Sequence, residues 1–107
     1  MRDIKMKRGV NRPIFIDLEN EDGTAYDLSE VTEIKATVRD STRAVVAHLD
    51  IKKDLSSAGR IVINTGPTEN WKIGTHLWDA FFYYGDGQSF SMPEAGFSKW
   101  EVTENIT

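Results

Sequence analysis

Strict alternation of apolar and polar side chains constrains this chain more than any other feature. In Glu33-Ile34-Lys35-Ala36-Thr37-Val38-Arg39-Asp40, the residues Ile34, Ala36 and Val38 point one way while Lys35, Thr37 and Arg39 point the other. A period of two belongs to an extended strand with one buried face; wound into a helix, the same residues would lie all around the axis. Ile14, Ile16 and Leu18 repeat the pattern, as do Val45, Ala47 and Leu49. Residues 24–28 resume an extended course, and further strands are expected at 60–64, 88–92 and 97–102. Residues 75–84 are the densest in apolar side chains, which predicts a central strand with both faces covered.

Turn chemistry separates these segments. Asp22-Gly23 and Gly85-Asp86-Gly87 supply the glycines that a tight hairpin needs, and Asp40-Ser41-Thr42 reverses the chain. Residues 52–59 read as a loop. Pro67 at the start and Gly74 at the end bracket one short helical turn over 68–73. The sum is an all-β chain: an antiparallel β-sandwich, Ig-like or related, of about eight short strands with at most one short helical turn. Its expected core is Ile16, Ile34, Val38, Ile61, Trp78, Phe82 and Val102.

Charge divides the 107 residues into two parts. The first twelve carry Arg2, Lys5, Lys7, Arg8 and Arg12 against Asp3, a net +4; with −4 overall, the remainder holds −8. The domain reading is a basic N-terminal arm over 1–11 followed by a single sandwich domain over 12–107. A basic arm on an acidic body suits head-to-tail docking between copies or contact with an acidic partner; its ordinary reading is a solvated terminus. A net-acidic body argues against nucleic acid. No run approaches the ~18 apolar residues of a membrane helix, and the charged first residues lack the apolar stretch of a signal peptide.

Catalytic and metal chemistry find little to use. Cysteine is absent, which removes thiolate ligands and Cys nucleophiles. His48 and His76 have no spacing that brings them to one face with a third ligand, and no Gly-x-Ser-x-Gly elbow occurs. A calcium loop counted from Asp17 would need Gly at position six and Glu at position twelve, where Asp22 and Leu28 stand. The expectation is a non-enzyme with no cofactor and no metal. The aromatics are the informative residues. Trp78, Ala80 and Phe82 share one face of their strand, Phe81 and Tyr83 the other. Core plus protein interface is one reading, with Arg2, Lys5, Lys7, Arg8, Arg12, Phe81, Tyr83 and Tyr84 as the candidate interface. The alternative is a carbohydrate-binding module that stacks sugar on Trp71, Tyr83 and Tyr84.

The order of features resembles small structural domains of tailed bacteriophages, including the N-terminal β-sandwich domains of baseplate proteins. The resemblance is carried by Glu21-Asp22-Gly23-Thr24-Ala25-Tyr26-Asp27-Leu28-Ser29, by Ala36-Thr37-Val38-Arg39-Asp40, and by Gly59-Arg60-Ile61-Val62-Ile63. Gly74-Thr75-His76-Leu77-Trp78-Asp79 and Lys99-Trp100-Glu101-Val102-Thr103 complete it. It implies a non-enzymatic virion assembly protein of the tail, neck or baseplate. Such a protein is made in the host cytoplasm and works through other virion proteins as a homo-oligomer or ring-docked subunit, without nucleic acid or membrane.

Overall fold

Eight segments whose side chains alternate between core and solvent form the strands of one sheet. The computed structural model describes residues 3–93 and 96–104. Its strands are β1 (Ile4–Lys7), β2 (Ile14–Asp17), β3 (Val31–Arg39), β4 (Val45–Lys53), β5 (Arg60–Asn64), β6 (Gly74–Tyr84), β7 (Ser89–Met92) and β8 (Ser98–Thr103). The hydrogen-bonded order is β1-β8-β6-β3-β4-β5-β2, with β7 also on β6. β6 is long enough for two partners on one side: Gly74–Trp78 meets β8 and Ala80–Tyr83 meets β7. The other side of β6 pairs with β3 in the register Ile34↔Phe82, Ala36↔Ala80 and Val38↔Trp78.

That register brings the apolar sets of neighbouring strands onto one face. Ile34, Ala36 and Val38 of β3, Leu49 and Ile51 of β4, Ile61 and Ile63 of β5, Trp78 and Phe82 of β6, and Trp100 and Val102 of β8 are all buried. The sheet curls around them into a half-barrel. Leu18, Leu28 and Trp71 add to the same core from outside the strands. Each large side chain taken fully out of water contributes roughly 1.5–3 kcal/mol, so Trp78, Trp100 and Phe82 anchor the fold. Trp78 meets Trp100 edge-on at 5.4 Å, and Phe82 stacks on Phe90 at 4.8 Å. All seven residues expected in the core are buried there.

The sandwich gives way to a different arrangement. One continuous hydrogen-bonded path replaces two facing sheets, and β1 runs parallel to β8 with Ile4 opposite Trp100. The helical turn over 68–73 is replaced by a single turn in which the Trp71 N–H donates to Thr68 O at 3.1 Å. The Thr68 hydroxyl is committed elsewhere. It accepts from the Gly9 N–H and donates to Val10 O, both at 2.8 Å. Residues 24–28 hold only the isolated bridge Glu19↔Ala25. β4 instead continues to Lys53, because Ile51 points inward between the outward Asp50 and Lys52.

Four turns, two of them in the β2–β3 connection, share one device. Asp22, Asp40 and Asp54 each accept both the N–H and the hydroxyl of the Thr or Ser two residues on, with hydroxyl distances of 2.6 Å. Asp27 accepts the Ser29 N–H at 2.9 Å. These turns close on themselves, so the loops between strands need little help from the core. Gly59 ends the β4–β5 connection at φ +74°, where a Cβ would stand 2.7 Å from Leu18 O. Only glycine fits there, since both the dihedral and the close backbone approach exclude a side chain.

Candidate functional site

The outward side of the sheet is built by the residues that alternate with the core. Across β6, β3 and β4 the registers place Phe81, Lys35 and Asp50 in one row, and Asp79, Thr37 and His48 in the next. Leu77, Arg39 and Val45 form a third row, where β3 and β4 slip by a bulge. Phe81 is 42% exposed and Val45 47%. The Lys35 ammonium lies 5.7 Å from the Tyr83 ring centre and 3.5 Å from Glu33. Such exposed contacts are worth little individually. Burial pushes the Asp79 carboxyl above its ordinary value, with Arg39 pulling the other way. Sequence reasoning expected both faces of β6 to be covered. Within the chain the described residues cover one and leave Phe81 partly in solvent, because none of the described strands forms a second layer outside β6.

The candidate interface residues separate into two groups. Phe81 and Tyr83 share the outward face, on the half of β6 that pairs with β7. Tyr84 points the other way and packs against Phe90 at 5.6 Å. Lys5 and Lys7 sit in β1, which reaches β6 only through β8 at its opposite half. Arg8 follows β1 and its main-chain N–H donates to Thr103 O at 2.9 Å. Arg2 lies outside the described residues. Lys5, Lys7 and Arg12 come together at the open seam of the half-barrel, where β1 and β2 flank a groove of about 510 Å³. Its other lining residues include Ile4, Met6, Val10, Pro13 and Ile14. The seam was missed because the charge of the first twelve residues hides a strand pattern. Ile4-Lys5-Met6-Lys7 alternates apolar and basic residues, and that alternation is the signal that could have found it.

The sugar-stacking platform does not assemble. Trp71 is only 6% exposed and packs on Trp100 at 5.5 Å, while Tyr83 and Tyr84 face opposite sides of β6. The histidines are equally separate. His48 Nδ1 lies 3.3 Å from Thr37 Oγ1 on the outward face. His76 is buried, with Nδ1 3.2 Å from Gly74 O. A carbonyl can only accept, so that nitrogen carries the proton. Asp17 of the rejected calcium loop is held by Arg60 at 2.7 Å.

No family model and no curated protein matches the chain. Among solved structures it is similar to CopC from Methylosinus trichosporium OB3b, at 10% sequence identity and a TM-score of 0.60. The match covers 100% of this chain and 89% of that one. At this identity the likeness is one of fold. It overturns the resemblance to bacteriophage baseplate domains, and with it the virion function, since the fold leads to CopC and no phage-related family or homologue is found. The physical reason lies in the residues that carried the resemblance. Glu21-Asp22-Gly23-Thr24 and Lys99-Trp100-Glu101-Val102 are turn and strand patterns that any sheet with these loop lengths would use.

Proposed function

We propose that this chain is a non-catalytic interaction domain that associates with a second copy of itself through the outward face of β6, β3 and β4. The observation that carries the reading is the exposed Phe81, bordered by charges of both signs: Lys35 and Arg39 on one side of the count, Glu33, Asp50 and Asp79 on the other. A patch with both signs can meet its own two-fold copy with cation against anion, around an aromatic centre. The separation of His48 and His76 onto opposite faces supports a role without catalysis, as does the use of Asp22, Asp27, Asp40 and Asp54 in their own turns. Light scattering at rising protein concentration tests this directly. The native chain should approach twice the monomer mass, and Phe81→Lys should return it to the monomer. A native chain that stays monomeric at millimolar concentration would end the proposal.

The fold shared with CopC suggests copper binding as the rival reading. Copper sites draw on imidazole, thiolate and thioether donors. Here cysteine is absent and the two imidazoles lie on opposite faces of the sheet, one of them buried beside Trp71 at 5.9 Å. Among the described residues no three His, Cys, Asp or Glu side chains converge. Among the described residues, the imidazoles therefore do not converge on a copper centre.

A further inference from the structure

We propose that the open seam between β1 and β2 captures an extended acidic segment of another protein, which adds to the free edge of β1 as a further strand. This site is separate from the outward face of β6 and does not depend on it.

The backbone of β1 supplies the first part of the argument. Arg8 N–H donates to Thr103 O, and Met6 O accepts from Thr103 Oγ1 at 3.2 Å, so the main chain at positions 6 and 8 faces β8. Strand geometry then turns the main chain of Lys5 and the Lys7 N–H the opposite way, into the seam, while the Lys7 carbonyl is taken by the loop that follows. β1 ends the hydrogen-bonded order, and no strand among the described residues pairs with that edge. An edge of this kind is a template for an incoming strand.

The walls supply the second part. Ile4, Met6, Val10, Pro13 and Ile14 give the groove an apolar lining, and Lys5, Lys7 and Arg12 give it three cations. Among the described residues no acidic side chain lines it, although the chain as a whole carries −4. Positive charge has been gathered where the partner would lie. A segment that alternates acidic and apolar residues matches both features: alternate side chains of a strand fall on opposite faces, one set toward the cations and one toward the apolar wall.

The third part is rigidity. The loop from Arg8 to Pro13 closes one end of the groove, and the buried Thr68 hydroxyl clamps it through Gly9 N–H and Val10 O. The Val10 N–H also donates to Lys7 O at 3.3 Å. A site fixed in advance loses less freedom on binding.

Fluorescence anisotropy with labelled peptides of about six residues tests the proposal. The probes are an alternating Glu/Val peptide, its Lys/Val counterpart, and the Glu/Val peptide with Pro at a central position. The acidic peptide should bind at least about tenfold more tightly than either of the others, because charge and main-chain hydrogen bonding are both required. Binding should weaken as salt rises and the screening length falls from about 10 Å at 0.1 M to about 3 Å at 1 M. The double variant Lys5→Glu, Lys7→Glu should lose about tenfold in affinity. Phe81→Lys should bind like the native chain, which separates this site from the self-association face. If the double variant does not keep the native circular dichroism, Arg12→Glu, outside any strand, carries the same comparison. Equal binding of the acidic and basic peptides overturns the proposal, as does undiminished binding of the Pro peptide. Self-association that Lys5→Glu, Lys7→Glu abolishes and Phe81→Lys leaves intact would assign the seam to a second copy and overturn it equally.

Discussion

A carboxylate in this chain titrates according to what its own turn gives it. The hydroxyl of Thr24 holds Asp22 below the ordinary 3.8, and Ser29, Thr42 and Ser56 do the same for Asp27, Asp40 and Asp54. A group whose folded pKa is depressed contributes stability that is present above its unfolded value and lost as pH falls through the folded one. Urea unfolding should therefore show stability dropping below about pH 4 and continuing to drop toward pH 2. Asp79 works with the opposite sign. Burial raises its folded value, so its charged form opposes folding and the penalty grows as pH rises through that value. Asp79→Asn should leave stability unchanged at pH 3 and raise it at pH 7; a loss at pH 7 would show that Arg39 outweighs burial. The Asp-x-Ser/Thr spacing of the four turns is visible in the sequence at 22–24, 27–29, 40–42 and 54–56. It marks the turns locally, which is why they could be read without any knowledge of the sheet.

Elements were legible where alternation was strong and undisturbed. β3, β5, β6 and β8 follow from period-two patterning alone, and their inward residues are the expected core. β1 was not, because Lys5, Lys7 and Arg8 make it read as a charged tail while Ile4 is buried. The helical turn failed for a tertiary reason: Thr68 spends its hydroxyl on a loop 58 positions away in sequence. The β3–β4 hairpin carries a cost of its own. Arg43 sits at φ 71°, a left-handed conformation that disfavours any side chain by about 1–2 kcal/mol. Its guanidinium lies 5.7 Å from the Phe97 ring centre, a partial offset. Arg43→Gly should raise unfolding stability by about 0.5–1 kcal/mol in urea titration, with Asp40 still closing the turn. An unchanged or lower midpoint would mean that the contact with Phe97 outweighs the backbone strain.

At the scale of the whole molecule, strand pairing was the part that no local pattern could reveal. Nothing in Ile4-Lys5-Met6-Lys7 names Trp100 as its partner, and nothing in Lys5, Lys7 and Arg12 shows that they border one groove. Only the curl of the sheet brings them together. Thr68 is the test of how tightly that closure is held. Thr68→Val keeps the shape but leaves the Gly9 N–H and Val10 O without their partner, which should cost about 2–4 kcal/mol by thermal or urea unfolding. A cost below about 0.5 kcal/mol would mean that water replaces the hydroxyl. The parallel pair of β1 and β8 also orders events during synthesis. The register partner of Ile4, Trp100, follows it by 96 positions (100 − 4). Pairings so distant in sequence form slowly, since a long loop must close before any contact rewards it. β1, apolar and basic, is therefore made well before β8 and waits for it, open to off-pathway association in the interval.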